Sequence, residues 1–595
     1  MSPDTVLGAD SRFGRPLLLI AVAIAFADSS IVVLAVPDIQ QRFAIGITAA
    51  SWVITAYNVA VVAACVLALA LLHRTPSRAL AISGLSEFAL ASLGAAVAPS
   101  LSVLVAFRAL QGVGAAFVLV TALAFLARGG AARLWTFAAT IGLAAGPALG
   151  GILTEFFSWR SIFIAQAPLV ALALIVIATS APIAVATSEA ADRRAYFANA
   201  ALAALSAALV GALFLVVVLL INGFGWRPLP AALVATTLPA AALASHTLAR
   251  RAPALAAAAG GSALIATGLA VLGLVPGDDL WLIVAGLAFC GFGLGLAADP
   301  LGGRALAVAD PAAAARTVLF RHVGLVAALL IVTPLLVSSL GELEAKADAV
   351  AGEIVLDAPL PLTTKVPLAL ELARAADNSD GTIPDIDALL GGYEGRDRAE
   401  VHAVAGRLDA SLRELVARAF RSSFLACAAF ALIAALIGLI ARERMPKAAQ
   451  RLRLTAAATV AAAAAATGAL ATEVRLGALH DPAAMAVPCH RHATFAGASV
   501  DARLQRLALV ALDTAACRLG TSTGTLLRSL LGAMPVPWDD ERLERALKAG
   551  LVTAVEEERA RSGVAATAAT VLELVAAAAP VRWIRELLAV LGRGS

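Results

Sequence analysis

Charged residues are scarce in this 595-residue chain: they make up 14% of the sequence, whereas hydrophobic residues make up 61%. Soluble domains carry about 25% charged and about 45–50% apolar residues. The scarcity therefore excludes a soluble globular protein and predicts one that crosses a membrane many times. The small net charge of +4 is typical of basic cytoplasmic loops in such proteins. We therefore predict a lipid bilayer as the partner and no nucleic acid.

Catalytic and nucleotide-binding motifs are also missing. The chain contains no Walker A loop and no HExxH, which disfavours ATP-driven pumping and predicts that the protein is not an enzyme. No cleavable signal peptide is expected, because the first apolar run is long enough to span and no small-residue cleavage site follows it.

Cysteine is rare, with five residues in the chain. Cys65, Cys290 and Cys427 lie in apolar runs and are interpreted as buried small side chains. Cys489 and Cys517 lie in a polar tail. They could form a disulfide if the tail is extracytoplasmic, or remain free thiols if it is not. A zinc site with the nearby histidines is disfavoured and no metal site is predicted, because the spacing matches no standard site.

Apolar runs of about 20 residues, the length that spans a bilayer, predict an all-α polytopic membrane protein. A first set of six lies at 17–37, 51–72, 79–98, 101–126, 134–154 and 162–180. A second set of six lies at 199–221, 231–249, 256–275, 281–298, 317–340 and 422–441. An Ala-rich run at 454–472 predicts an additional span, and 564–581 is interpreted as a buried helix of a soluble domain rather than a fourteenth span.

Basic residues in the short loops alternate along the chain, which predicts a cytoplasmic N-terminus and a multi-pass protein of the plasma membrane. The short outer loops hold only Arg42, Arg160 and Arg227. The predicted organisation is an N-terminal six-helix half at 1–198, a C-terminal six-helix half at 199–453 containing a long extracytoplasmic helical loop at 341–421, the additional span at 454–472, and a helical extracytoplasmic tail at 473–595. This tail could bind a protein partner.

Three ionisable residues lie inside apolar spans: Asp28, Glu87 and Arg108. A charge at the bilayer centre costs about 2.5–3.5 kcal/mol on insertion scales, so such residues are functional candidates by default. Asp28 could carry a proton, and Arg108 could pair with an acid or modulate its pKa during the proton cycle. The alternative is that both only hold neighbouring helices together. Glu87 is either a second proton site or a structural polar contact.

Small residues line one face of the fifth predicted span. Gly142, Gly146 and Gly150 are spaced four residues apart, which leaves a bare face where another backbone can approach closely. Pro147 removes one helical hydrogen bond and favours a bend. Together with Gly151, this face is expected to pack against the other half and seal a central cavity. The alternative is ordinary packing within one half.

Five stretches, in order, resemble the signatures of the drug:proton antiporter branch of the major facilitator superfamily, of the EmrB/QacA type. They are FADSSIVVLAVPDIQQRF with Asp28, SWVITAYNVA with Tyr57 and Asn58, RALQGVGAA with Arg108, Gln111, Gly112 and Gly114, GLAAGPALGG, and WRSIFIAQAP. The resemblance implies two six-helix halves that alternate about a central cavity. It also implies that Asp28 carries the proton, that Arg108 tunes it and that the glycine face closes one side. Tyr57 and Asn58 are candidates either for the cavity or for helix interfaces.

The loop after the second span departs from the family pattern. Arg74 and Arg78 persist as gating-loop candidates, but His73 stands where the family has an acid that latches the two halves. The predicted function is proton-coupled efflux of small amphipathic drugs or lipid-like compounds, with the proton gradient in place of a cofactor. The altered loop and the large outer segments motivate an alternative, a transporter-derived scaffold or sensor that presents its outer domains to a partner.

Overall fold

A computed structural model describes residues 14–126, 131–180, 193–249, 254–274, 277–307, 310–358, 360, 365, 368, 371–372, 398–440, 489, 491–492, 500–530 and 535–562. These residues form helices and connecting turns, with no strand among them, which confirms the all-α prediction. The predicted additional span at 454–472 and the apolar stretch at 564–581 lie outside the described residues. The chain divides into two compact units, one of Met1–Ser339 with Phe420–Thr472 and one of Leu340–Ala419 with Glu473–Ser595.

The first unit begins with the helices of the predicted N-terminal half. They are α1 (Gly14–Ile31), which continues through a 3₁₀ turn (Val32–Ala35) into α2 (Val36–Phe43), then α3 (Ile47–Leu71), α4 (Ser77–Ala96), α5 (Leu101–Phe125), α6 (Ala131–Phe156) and α7 (Trp159–Thr179). Ser100 caps α5, because its side chain accepts a hydrogen bond from the backbone N–H of Val103. Helix α2 ends where Ala44 takes up a left-handed conformation, with φ of 50°.

The second half of this unit repeats the pattern. Its helices are α8 (Arg193–Val218) with a π turn (Leu219–Gly223), α9 (Pro228–Ala235), α10 (Thr237–Ala249), α11 (Ala254–Leu274), α12 (Leu280–Ala305), α13 (Pro311–Leu356) and α14 (Arg398–Ile440). Asp279 caps α12 by accepting hydrogen bonds from the backbone N–H groups of Trp281 and Leu282.

Eleven helices among the described residues are long and apolar enough to cross a membrane, and α6 makes a twelfth when its two segments, bent by 42°, count as one span. Each of the twelve spans predicted before residue 442 overlaps one of them. A polytopic membrane architecture is therefore confirmed.

The two halves use the same backbone contacts. A side chain on Gly142 of α6 would overlap the carbonyl oxygen of Ala23 on α1, and a side chain on Gly324 of α13 would overlap that of Ala203 on α8. Since only glycine permits such an approach, α6 lies on α1 as α13 lies on α8. This correspondence agrees with a fold of two related six-helix halves.

The second unit combines the predicted outer loop at 341–421 with the predicted tail at 473–595. Helices α13 and α14 contribute the parts from the loop, and the tail contributes α15 (Val500–Leu519), α16 (Thr523–Leu530) and α17 (Asp540–Ser562). Leu356 of the loop segment packs in one buried cluster with Leu509 and Leu527 of the tail. Loop and tail therefore share a hydrophobic core.

A buried histidine joins the loop segment to the tail. His492 forms ion pairs with Glu353 of α13 and with Asp513 of α15, the latter at 2.7 Å. Glu353 also accepts a hydrogen bond from the backbone N–H of Gly524, and Asp513 accepts one from the Thr523 hydroxyl. Burial alone would lower the pKa of His492, but its hydrogen bonds to both carboxylates and their negative charge raise it from 6.5 to about 10.

A disulfide joins Cys489 to Cys517, whose Cα atoms lie 4.2 Å apart. Cys517 belongs to α15, so the bond ties the chain preceding His492 to the same helix that carries Asp513. Cys65, Cys290 and Cys427 are free and buried.

We expect the second unit to loosen at alkaline pH. Because the folded unit raises the pKa of His492 from 6.5 to about 10, the stabilisation is complete below about pH 6.5 and is lost as the pH rises through 10. Amide hydrogen exchange of α15, corrected for the intrinsic rate at each pH, should show protection falling between pH 7 and pH 10. The variant His492→Gln should be less protected at pH 7 and insensitive over this range. The same pH dependence in His492→Gln would contradict this role for His492.

Candidate functional site

A closed ring of buried polar side chains lies in the first half. Arg108 of α5 forms an ion pair with the Asp28 carboxylate of α1 and donates to Gln111 Oε1 at 2.7 Å. Gln111 donates to Gln166 Oε1 of α7 at 2.8 Å, and Gln166 donates to the other oxygen of Asp28 at 2.7 Å. All four side chains are buried, at 0–4% exposure. The Asp28 carboxylate thus links three predicted spans, namely α1, α5 and α7.

Arg108 keeps several partners besides the carboxylate. Its Nε donates to the Val53 carbonyl at 2.9 Å, and a terminal nitrogen donates to the backbone carbonyl of Asp28 at 3.1 Å. Its guanidinium lies 4.5 Å from the ring centroid of Tyr57, a cation–π distance. The Tyr57 hydroxyl in turn donates to the Ala25 carbonyl at 2.6 Å. The cation is therefore held by groups that do not change their charge.

Two glycines allow the helices to carry these groups together. A side chain on Gly112 would overlap the carbonyl oxygen of Tyr57, and one on Gly114 would come within 2.6 Å of the Phe88 backbone nitrogen. Since neither position tolerates a Cβ, α5 lies directly against α3 and α4. The close approach places Arg108 beneath Tyr57 and brings Gln111 within 2.9 Å of the Ser92 hydroxyl on α4.

Sequence reasoning missed two members of this network, Gln166 and Ser92. Gln166 lies within the quoted stretch WRSIFIAQAP, and it is a buried amide inside an apolar span. A buried amide must find hydrogen-bond partners, so its position was a usable signal. Ser92 gave no such signal, because a serine inside a helix commonly bonds its own backbone, and Ser92 also donates to the Phe88 carbonyl.

The glycine face of α6 packs mainly within the first half. Gly142, Gly146 and Gly150 lie against α1, where added side chains would overlap atoms of Ala23, Ser30 and Ile31. The expectation that this face meets the other half therefore holds at Gly151 alone, which lies against Ala232 of α9. The physical reason is that the helix that carries Asp28 occupies the bare face.

Pro147 bends α6 at a defined point. It has no N–H to give the carbonyl of Leu143, four residues earlier, and the helix bends by 42° between Leu143 and Ala145. The Ser30 hydroxyl of α1 donates to the Leu143 carbonyl at 2.8 Å instead. A side chain two residues from Asp28 thus fills the gap that the proline opens in α6.

The remaining candidates lie outside the ring. Glu87 is half-buried on α4 and has no hydrogen bond or ion pair to Asp28 or Arg108. Asn58 is buried and donates to the Ile54 carbonyl of its own helix, while its side-chain oxygen has no partner among the described residues. Arg74 is exposed in the turn after α3, whereas Arg78 donates to the Ala178 carbonyl at the end of α7.

Within the described part of the chain, no group of three His, Cys, Asp or Glu residues could hold a metal ion.

A cleft lies between the two halves of the first unit. Its lining residues come from α6, α8, α12 and α13, and they are Trp135, Thr136, Thr140, Leu143, Leu202, Leu205, Ser206, Leu209, Leu294, Ala298, Gly302, Thr317 and Arg321. Tyr57 and Asn58 are not among them. Because Leu143 lines the cleft and its carbonyl is bonded to Ser30, the cleft borders the same α1–α6 contact that lies beside Asp28.

We expect Ser30 and Pro147 to be energetically coupled. Ser30→Ala should cost about 1 kcal/mol of stability, because it leaves the buried Leu143 carbonyl unpaired. In the Pro147→Ala background the restored backbone N–H can bond that carbonyl, so Ser30→Ala should cost close to nothing. A double-mutant cycle in detergent, followed by unfolding, measures the coupling. Ser29→Ala is the matched control, since its buried hydroxyl has no partner, and additive effects of Ser30→Ala and Pro147→Ala would contradict the contact.

Comparison with known proteins agrees with this architecture. The chain is 38% identical over 157 residues to the multidrug resistance protein Stp of Mycobacterium tuberculosis, a match that covers 25% of this chain and 29% of the relative. It is 33% identical over 162 residues to the multidrug efflux pump LfrA of Mycolicibacterium smegmatis, covering 26% and 31%. The chain thus spans about a third of the length of these curated relatives.

Among solved structures, an inward-facing bacterial homolog of the human lysosomal transporter Spinster matches with a TM-score of 0.48 and 15% identity, over 75% of this chain and 99% of that one. The family model of the Major Facilitator Superfamily matches residues 18–333, which is more than half of the chain. The chain therefore belongs to the Major Facilitator Superfamily.

Proposed function

We propose that the protein is a proton-coupled secondary transporter of the plasma membrane that exports small amphipathic compounds by alternating access. The observation that carries the proposal is the ring in which one buried carboxylate, Asp28, accepts from both Arg108 and Gln166. Such a carboxylate has two distinct states, ionised and protonated, that differ in their bonds to three spans. A proton can therefore act as a switch on helix packing.

The ring explains how the protonated state is tolerated. Removing one partner of a buried ion pair commonly costs about 3–5 kcal/mol, because the other charge stays uncompensated. Here Arg108 would retain the Val53 and Asp28 carbonyls, Gln111 and the Tyr57 ring when Asp28 takes up a proton. These contacts lower the cost of losing the ion pair, so a proton can bind and leave without unfolding the bundle.

Asp28 exchanges its proton only when the packing changes. Its side chain is fully buried in this conformation, so bulk water reaches it only in another one. Helix α1 transmits the change, since it carries Asp28 and also Ser30, which is bonded to Leu143 at the wall of the cleft. Protonation at Asp28 would thereby alter the α1–α6 contact that borders the substrate site.

Several further observations support this function. Curated relatives are named a multidrug resistance protein and multidrug efflux pumps, and the five sequence stretches resemble the EmrB/QacA-type branch. The scaffold alternative is not favoured, because the buried ring is complete although His73 replaces the acid of the loop motif. On the proposed topology the N-terminus is cytoplasmic, and the second unit is extracytoplasmic, where a protein partner could reach it.

We expect Asp28→Asn to separate transport from the proton gradient. Asparagine keeps the size of the side chain and can accept hydrogen bonds, but it cannot release a proton. In proteoliposomes with an imposed pH gradient, uphill accumulation of a fluorescent amphipathic dye should fall to the level of protein-free vesicles. Exchange of dye between the two sides, without a gradient, should continue.

Glu87→Gln is the matched comparison, because it also neutralises a carboxylate inside a span but lies outside the ring. It should leave gradient-driven accumulation close to that of the unaltered protein. Accumulation that persists in Asp28→Asn and is lost in Glu87→Gln would move proton coupling to Glu87. Accumulation that ignores the gradient in the unaltered protein would refute proton coupling altogether.

A further inference from the structure

Arg321 is a second buried arginine in the first unit, and unlike Arg108 it has no carboxylate partner. It lies on α13 with 7% of its surface exposed, at the wall of the cleft between the halves. No acid lies within ion-pair distance of its guanidinium in the described part of the chain. Its close neighbour is the Phe26 ring of α1, whose centroid lies 4.6 Å from the guanidinium carbon.

Two hydroxyl groups on the lining of the cleft also lack a polar partner. Thr136 of α6 and Thr317 of α13 both line the cleft, at 4% and 1% exposure. Neither hydroxyl oxygen has a hydrogen-bond partner in the described part of the protein. Because buried polar groups in folded proteins almost always find partners, three such groups around one cleft point to a ligand that supplies them.

Most of the remaining lining residues are apolar, apart from Thr140 and Ser206. Leucine side chains come from three helices: Leu143, Leu202, Leu205, Leu209 and Leu294. Arg321 is the single charged residue on the lining. The lining thus combines one fixed positive charge and nearby hydroxyl groups with a broad hydrophobic surface.

We propose that this cleft binds amphipathic anions, molecules with an apolar body and one carboxylate, sulfonate or phosphate group, whose charge pairs with Arg321. The inference rests on the proposed transport function and specifies the substrate class. Arg321 donates to the anionic group, Thr136 and Thr317 donate their hydroxyl hydrogens to it, and the leucine side chains contact the apolar body. Either a dissolved amphipathic acid or an anionic membrane lipid offers this chemistry.

Arg321 also lies close to the proton-coupling ring along α1. Its guanidinium stacks on Phe26, two residues before Asp28, and Phe26 meets the ring of Trp135 edge to face with centroids 5.4 Å apart. An anion that pairs with Arg321 would draw the guanidinium from Phe26 into the cleft. The substrate charge and the proton on Asp28 would thus act on neighbouring turns of one helix.

Binding is measurable without transport, because Trp135 lines the cleft. Three brominated probes of matched length quench tryptophan fluorescence on contact. They are 11-bromoundecanoate, 11-bromoundecyltrimethylammonium and 11-bromoundecanol. With the full chain in nanodiscs of phosphatidylcholine, we expect the carboxylate to bind about 10- to 100-fold more tightly than the other two, the ratio expected for a hydrogen bond to a charged group. Trp135→Phe should remove the saturable component.

Arg321→Gln should reduce the affinity for the carboxylate by about the same 10- to 100-fold and leave that for the alcohol unchanged. Arg321→Lys keeps the charge and should retain the preference for the carboxylate. Arg316→Gln is the matched control, since Arg316 lies on the same helix but not on the cleft, and it should bind like the unaltered protein. Melting curves of all variants establish that they are folded.

Nanodiscs with added phosphatidylglycerol distinguish the two sources. If phosphatidylglycerol competes with 11-bromoundecanoate for the cleft, the occupant is an anionic lipid. If the affinity for 11-bromoundecanoate is unchanged by phosphatidylglycerol, the occupant is a dissolved acid. Equal binding of the three probes would overturn the inference, as would an unaltered carboxylate affinity in Arg321→Gln. Tighter binding of the ammonium would also overturn it and would assign recognition to Asp299, which lines an adjoining cleft of about 360 Å³. None of these outcomes depends on a proton gradient, so proton coupling at Asp28 stands or falls separately.

Discussion

The ion pair between Asp28 and Arg108 is the constraint on which the first half of the molecule depends. Two charges that are fully buried among apolar helices are tolerable only when each is paired and hydrogen-bonded. That requirement explains why Gln111 and Gln166 close a ring around the carboxylate, and why glycines let α5 approach α3 and α4. It also explains why the aromatic face of Tyr57 lies over the guanidinium.

The bend in α6 extends this constraint to the cleft. Pro147 leaves the Leu143 carbonyl without its helical donor, and Ser30 of α1 replaces that donor. The side chain of Leu143 lies on the wall between the halves. A change at Asp28 therefore has a short physical route to the cleft, through two residues of α1 and one bond to α6. Arg321, stacked on Phe26, gives the cleft its own contact with α1.

Much of the first unit could be predicted from the sequence, because the length of an apolar run and a charge inside it are both visible in a short stretch of residues. The twelve spans before residue 442 follow from apolar runs, and Asp28 and Arg108 were recognisable as charges inside them. The partner of the α6 glycine face could not be predicted, since a bare face indicates close packing but not with which helix. The role of Arg321 was also hidden, because its neighbours in the cleft come from distant parts of the chain. The shared core of loop and tail depends on contacts such as Leu356 with Leu509, which no local pattern indicates.

The central claim is that Asp28 is the carboxyl group that gains and loses a proton when substrate binds. Infrared difference spectroscopy of the reconstituted protein, recorded as an amphipathic substrate is added, observes carboxyl protonation directly. The account predicts one carboxylic-acid band that changes with substrate, shifts on deuteration and is absent in Asp28→Asn, while Glu87→Gln retains it. A band that persists in Asp28→Asn, or a substrate response with no change in any carboxyl group, would contradict the account.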